Sequence, residues 1–222
     1  MGDAYPNADI VGTDLSPIQP TWIPPNVRFE VDDAQDEWTF EDGEFDFIHA
    51  RTLAGSVRDW PMFVRKCYKH LASDGSGRVE IAEGRTNFWD VGGTIREDSF
   101  THKWLGEWRR LAEMVQFDVF PKLPAMMEEA GFVDVRVREE VVPLGTWPKD
   151  PKLKELGRFF RVQFLEMGLE AYTMALFARF GGWEEGEIRG LLEEVKREVK
   201  EGKMHLYTFC SFVTARRPTE KA

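Results

Sequence analysis

Asp14 is the residue of this chain whose type and position point most directly to chemistry. It closes the short run Ala8–Thr13, which is typical of a buried strand. A carboxylate at the carboxyl end of a parallel strand is placed to accept hydrogen bonds from the two hydroxyls of a ribose. In a nucleotide-binding fold, a Gly-rich turn comes roughly 20 residues before that acid. Only thirteen residues precede Asp14, and none form such a turn, so the sequence predicts a nucleotide-binding fold that lacks its first strand.

Two further polar groups follow the next predicted strands. Asp33–Ala34 comes after the second strand, where a carboxylate and a neighbouring amide could read an adenine edge, and His49–Arg51 comes at the end of the third. Ligands of open α/β sheets bind outside the carboxyl ends of the strands, near the switch point. The order of these groups along the chain therefore favours a nucleoside whose sugar binds at Asp14 and whose base binds at Asp33–Ala34. The alternative is that Asp14 and Asp33 only cap their own loops.

The remaining candidates are open to two interpretations each. His49 could be a general base, because histidine titrates near neutral pH, or it could orient its turn through hydrogen bonds. Arg51 could pair with nearby acids or contact a ligand carboxylate. Glu83 and His102 could face a substrate or lie on the surface. The sequence contains no Ser/His/Asp grouping, no metal-ligand spacing and no Gly-Lys-Ser/Thr phosphate loop, which disfavours hydrolases, metalloenzymes and P-loop proteins.

The elements that must position these residues follow an alternating pattern. Strands are predicted at 10–13, 27–31, 45–50, 78–82, 133–142 and 205–215, and helices at about 59–71, 101–116, 123–130 and 184–201. Strands that alternate with helices predict a parallel α/β sheet with helices on both faces. A mostly helical segment, 152–202, is predicted as an insertion before the last strand, where it could lid an active site or serve only as packing. We expect one domain over residues 1–222.

Composition excludes several classes of protein. The formal charge of -10 disfavours broad binding to nucleic acid or to an anionic membrane, because both need a basic surface. Cys67 and Cys210 belong to no Cys/His cluster, which argues against zinc and favours two reduced core thiols. The start of the chain has no secretory pattern, and no apolar stretch approaches the roughly 20 residues of a membrane span. A cytosolic or nuclear protein is expected.

Several motifs together resemble a known family. The most specific is the run Asp-Leu-Ser-Pro-Ile-Gln-Pro at 14–20. Supporting segments are Tyr5–Thr13, Pro25–Ala34, Phe45–Arg51, Gly55–Trp60, Glu129–Phe132, Pro143–Pro148 and His205–Pro218. The chain resembles the fungal LaeA-like methyltransferases, which are class I enzymes that use S-adenosylmethionine. The resemblance spans almost the whole chain and implies a Rossmann-like class I methyltransferase sheet with a helical insertion before its last strand.

The resemblance also implies roles for individual residues. Asp14 is expected to bind the ribose of S-adenosylmethionine, and Leu15 to pack near the adenine. Asp33 and Ala34 are expected to meet the amino edge and ring of the adenine. The residues expected beside the methionine part and the transferred methyl are His49, Ala50 and Arg51. Methyl transfer depends mainly on alignment of nucleophile, methyl and sulfur, so a dedicated base is optional. The methyl acceptor is expected to be a small molecule or a protein linked to secondary metabolism.

One departure from the family bears on function. The family's Gly-rich motif and its strand, which would lie between the Asp14 strand and the His49 strand, are missing from this sequence. The loss predicts two strands with unpaired edges, which would encourage a protein partner or a homo-oligomer. A non-catalytic methyltransferase-like module acting through protein contacts is therefore the alternative function. A nicotinamide-dependent oxidoreductase shares the fold, but nothing beyond the shared features points to it.

Overall fold

The computed structural model describes residues 1–219, and its strands form two separate sheets. The strands are β1 (Ile10–Asp14), β2 (Val27–Val31), β3 (Phe47–Arg51), β4 (Arg78–Gly84), β5 (Trp89–Asp90), β6 (Val133–Pro143) and β7 (Leu206–Arg216). β1 pairs with β2 alone, and the second sheet has the order β3-β4-β7-β5, with β6 also paired to β7. Among the described residues, no strand pairs with the second edge of β1 or of β3. We call this missing pairing between β1 and β3 the interruption. The sequence predicts unpaired edges at these two strands.

The second sheet is mixed rather than wholly parallel. β3 and β4 run in parallel, whereas β7 is antiparallel to both β4 and β6. The prediction of a parallel sheet is therefore wrong for β7. The direction of β7 follows from where it begins. Tyr207, at the start of β7, lies opposite Pro143, the last residue of β6, so β7 runs back along β6. The alternation of elements in the sequence does not encode this direction.

The helices are α1 (Trp60–His70), α2 (Phe100–Met114), α3 (Leu123–Glu129), α4 (Pro151–Gln163), α5 (Leu169–Gly181) and α6 (Glu185–Glu201). α1 begins where the sequence predicts it, because Asp59 accepts a hydrogen bond from the Met62 amide at 2.8 Å and a proline lies in the first turn. Its buried Phe63, Val64 and Cys67 face a cluster formed with β3, β4 and α3. We call this the sheet cluster. Burial raises the pKa of the Cys67 thiol to about 12, whereas Cys210 is only half-buried.

The segment between β6 and β7 is helical, as predicted. α5 and α6 pack against α2, and together they enclose a second apolar cluster. A π-helical turn, Phe164–Gly168, joins α4 to α5. Gly157 on α4 allows a close backbone approach, because an added Cβ would lie 2.1 Å from the Gly145 carbonyl oxygen. Within residues 1–219, no helix is both long and apolar enough to cross a membrane.

Candidate cofactor site

The β1–β2 sheet brings the two predicted acids to one edge. Parallel pairing places Asp14 opposite Val31, so Asp14 and the segment after β2 leave the sheet on the same side. Asp14 is exposed, and its Oδ1 accepts a hydrogen bond from the Ser16 amide at 2.9 Å. Its Oδ2 receives no hydrogen bond from the described residues. The carboxylate thus caps its own loop with one oxygen and keeps the other available to a ligand.

Leu15 follows directly and lies outside both apolar clusters. Its side chain is 62% exposed. An exposed leucine beside a carboxylate offers a surface on which an aromatic ring could pack, because contact would remove apolar area from water. The position agrees with the expected contact to an adenine, which stays a prediction.

Asp33–Ala34 presents both a hydrogen-bond acceptor and a donor. Asp33 uses Oδ1 to accept from the Gln35 amide at 2.9 Å, and its Oδ2 receives no bond from the described residues. The Ala34 carbonyl accepts from the Trp38 indole at 3.0 Å. The Ala34 N–H makes no hydrogen bond within the described chain. A free carboxylate oxygen therefore lies next to a free amide.

The segment after Asp33 is fastened to the second sheet's helix. Gln35 Oε1 accepts from the Arg58 amide at 2.8 Å, and Lys66 donates to the Asp36 carbonyl at 2.6 Å. Trp38 stacks on the buried His70 of α1, with 5.1 Å between ring centroids. Ala34 packs against the sheet cluster, which also contains Ala50. The structure thus brings Asp33–Ala34 close to the loop that follows β3.

The three residues predicted at the end of β3 lie on opposite faces of the strand. Ala50 faces the sheet cluster, whereas His49 and Arg51 face the other side. His49 Nδ1 lies 3.1 Å from Glu80 Oε1 on the neighbouring strand. His49 therefore bonds across the sheet, and the interpretation that it orients the following turn is wrong. The Arg51 side chain forms no hydrogen bond or salt bridge with the described residues, so a pairing with nearby acids is absent and its guanidinium is available to a ligand.

Glu83 and His102 are resolved differently by the structure. Glu83 is buried, and its carboxylate accepts hydrogen bonds from the amides of Leu53 and Ala54. Both of its oxygens are occupied by main-chain donors, and it does not lie on the surface. His102 is exposed in the first turn of α2, which agrees with the surface interpretation.

A polar cluster beyond the end of β4 was missed by sequence reasoning. Arg85 Nε lies 3.1 Å from Asp118 Oδ2, and its Nη1 lies 2.9 Å from Glu139 Oε1. The same guanidinium lies over the rings of Trp89 and Phe120. These residues come from separate segments, so no local pattern joins them. The one available signal was the position of Arg85 three residues after the predicted strand 78–82.

Other kinds of site are not found near these residues. Within residues 1–219 no group of three or more His, Cys, Asp or Glu side chains could hold a metal ion. Two surface depressions lie elsewhere, one along α6 and one around Arg78 and Arg216, and neither includes a residue expected to bind the cofactor. Of the predicted cofactor residues, Ala50 is buried and the others are exposed or half-buried.

Comparison with known proteins decides the family. Residues 1–137 match the family described as a methyltransferase domain. The chain belongs to this methyltransferase family. The matched residues end before α4, so the helical segment lies outside them. The predictions of the fold, the family and an S-adenosylmethionine-dependent class are thereby confirmed.

Curated fungal relatives cover almost the whole chain. It is 39% identical to the methyltransferase pytC of Aspergillus terreus over 98% of its length and 67% of the relative's. It is 37% identical to the secondary metabolism regulator LAE1 of Cochliobolus heterostrophus, over 99% of its length and 72% of the relative's. The regulator laeA of Monascus pilosus is 28% identical, over 98% of this chain and 59% of the relative.

Solved structures support the fold. A methyltransferase-like protein from an antibiotic biosynthesis pathway of Anabaena variabilis superposes with a TM-score of 0.57 at 12% identity, over 96% of this chain and 83% of that one. The geranyl diphosphate C-methyltransferase of Streptomyces coelicolor gives 0.50 at 14% identity, over 97% of this chain and 67% of that one. At these identities the likeness shows the architecture alone.

Proposed function

We propose that this methyltransferase binds S-adenosylmethionine at the edge formed by β1, β2 and the end of β3, and that it methylates an acceptor of secondary metabolism. One observation carries the proposal. The segment after Asp33 is bonded to Arg58 in the loop that follows β3 and to Lys66 of α1, so that the free amide of Ala34 lies beside this loop, while Asp14 leaves the β1–β2 sheet on the same side as Asp33. The acceptor is a small molecule or a protein, and the link to secondary metabolism comes from the name of one relative.

The donors and acceptors present fit the adenosine half of the cofactor. Adenine offers an amino donor and a ring nitrogen acceptor on adjacent positions, and Asp33 Oδ2 with the Ala34 N–H offers the complementary pair. Asp14 Oδ2 is available to a ribose hydroxyl. Arg51 supplies an unpaired guanidinium, which suits a carboxylate such as that of the methionine part.

The chain's part in the reaction is positioning. Bound S-adenosylmethionine supplies the electrophilic methyl group. Holding two reactants in line converts a bimolecular step into an effectively unimolecular one, so the contacts at Asp14, Asp33 and Ala34 would contribute by fixing the adenosyl end. No described residue has to accept a proton for this part of the work.

A specific observation favours a second candidate, a methyltransferase-like module that acts through protein contacts. β1 and β3 are not paired with each other or with any other strand between them among the described residues. The methionine end of a cofactor would lie at this interruption. We therefore expect the chain to bind S-adenosylmethionine weakly, and micromolar affinity measured by calorimetry would contradict this expectation.

A titration with S-adenosylhomocysteine followed by amide chemical shifts separates the two candidates, because it detects millimolar binding. The proposal expects shifts at the amides of Ala34 and Leu15 that saturate. Adenosine alone is the matched ligand, and it should bind almost as well if the interruption removes contacts to the methionine end. Saturation with no shift at Ala34 and Leu15, or no binding of either ligand, would refute the cofactor site.

A further inference from the structure

Glu83 is a buried carboxylate that has no role in the proposed chemistry. It lies at the end of β4 on the same face as Val79 and Ile81, and it is only 2% exposed. Burying a charged group is costly unless hydrogen bonds replace its lost water. Both of its carboxylate oxygens accept such bonds from the turn that follows β3. Leu53 N–H donates to Oε1 at 2.7 Å, and Ala54 N–H donates to Oε2 at 3.3 Å.

The turn that Glu83 holds has an unfavourable backbone. Thr52, directly after β3, has a φ of 58°, in the left-handed region that β-branched residues rarely adopt. Such conformations persist only where the surroundings hold them. The Thr52 amide donates to the Ala82 carbonyl at 3.0 Å, and Glu83 then captures the next two amides. The end of β4 therefore fixes the three residues that follow β3.

The same turn reaches the segment that presents the adenine-reading groups. The amides of Ser56 and Val57 donate back to the Leu53 carbonyl at 2.9 and 3.1 Å. The Arg58 amide donates to Gln35, whose own amide is bonded to Asp33. Hydrogen bonds and short stretches of main chain thus link Glu83 through the turn to Asp33.

A direct contact between Glu83 and substrate is inconsistent with this geometry. Both oxygens are occupied by main-chain donors, and the side chain is closed to solvent. The next acid on the strand, Glu80, has the opposite situation, since it faces the other side of the sheet and pairs with His49. It offers a matched comparison on the same strand.

We propose that Glu83 is a positioning residue of the cofactor site, which holds the 52–54 turn in the conformation that places Arg51 and Asp33–Ala34. The inference rests on the proposed function for its consequence in binding. Its structural part, the hold on the turn, stands independently. Glu83 acts through Leu53 and Ala54 and touches no reacting atom.

The test compares Glu83→Gln with the control Glu80→Gln. Glutamine keeps the size of the side chain but replaces one acceptor with a donor, so one amide of the turn loses its partner. Hydrogen exchange at Leu53 and Ala54 should become roughly tenfold faster in Glu83→Gln, in line with the loss of a bond to a charged group. The affinity for S-adenosylhomocysteine should fall by a similar factor. Glu80→Gln should change neither quantity.

The pH dependence of the amide proton shifts is a second measurement. A general loss of rigidity in the protein would not produce it. Burial raises the pKa of Glu83, the two amide bonds oppose this, and the charge of Asp118 adds to it. The other groups near it are Arg85, which pairs with Asp118, and Cys210 on the paired strand β7. In the unmodified protein, the proton shifts of the Leu53 and Ala54 amides should titrate as Glu83 takes up its proton. This measurement needs no variant, so it decides the question even if Glu83→Gln fails to fold.

The outcomes separate the two proposals. Unchanged exchange at Leu53 and Ala54 in folded Glu83→Gln, or amide shifts in the unmodified protein that do not titrate, would overturn the positioning role. Changed exchange together with no binding of S-adenosylhomocysteine by the unmodified protein would refute the proposed function and retain the hold on the turn. Changed exchange with unchanged affinity would overturn the link to the cofactor.

Discussion

The replacement Asp14→Asn tests the ribose contact most directly. The change preserves shape, and Oδ1 can still accept the Ser16 amide. The atom that faces the ligand becomes an NH2 group and can no longer accept from a hydroxyl. A hydrogen bond to a charged group contributes about 1.5–3 kcal/mol. Because Asp14 is exposed, the low end applies. The one ribose hydroxyl that Oδ2 accepts then gives about 1.5 kcal/mol, so its loss raises the dissociation constant roughly tenfold.

The matched control is Asp9→Asn, which removes the same charge just before β1. Asp9 forms an exposed salt bridge with Arg28 at 2.8 Å, and exposed pairs of this kind contribute little. Both dissociation constants for S-adenosylhomocysteine are measured by the same amide-shift titration. We expect Asp9→Asn to stay within about twofold of the unmodified protein, because only a distant, screened charge is lost. Equal affinities of the two variants would refute the ribose assignment.

Three further predictions concern the surrounding fold. Gly157→Ala should lower the free energy of unfolding by about 1–3 kcal/mol, because its Cβ meets the Gly145 carbonyl. The control Gly190→Ala has open space around the new methyl group and should be neutral or stabilising. Urea unfolding of both variants measures the difference. Glu198→Gln should cost about 1 kcal/mol of unfolding free energy by the same measurement, because Glu198 accepts three hydrogen bonds at the start of α2, and an unchanged midpoint would contradict this. Burial raises the pKa of Glu83 above its ordinary 4.5, so the folded state holds this proton more tightly than the unfolded state. The stability of the unmodified protein relative to Glu83→Gln should therefore fall as pH rises above 4.5 through the folded pKa, and a rise over that range would contradict the shift.

Local patterns in the sequence predicted the parts of the site that are encoded locally. β1 with its terminal acid and α1 with its Asp59 cap lie within a residue or two of their predicted bounds, because strand composition and capping are properties of a few adjacent residues. The unpaired second edges of β1 and β3 among residues 1–219 were also predicted.

Contacts between distant segments could not be predicted in this way. Glu83 finds its partners thirty and twenty-nine residues away, and no spacing rule joins an acid on one strand to the turn after another. The same reason hides the Arg85–Asp118 pair. β5 was missed because two residues are too few to show an alternation. A cytosolic or nuclear location and an association with a protein partner stay predictions.

The separation of the two sheets has a practical consequence for anyone who studies this protein by denaturation. Neither apolar cluster contains a residue of β1 or β2, the earliest member being Ala34. The strand that carries Asp14 therefore shares little of the cooperativity of the main body and can fray on its own. A thermal melt followed by tryptophan emission would mainly record the loss of the clusters, because Trp22, which lies between β1 and β2, is already 92% exposed in the folded protein. Local unfolding of the strand that carries Asp14 would be detected by residue-specific measurements such as amide chemical shifts.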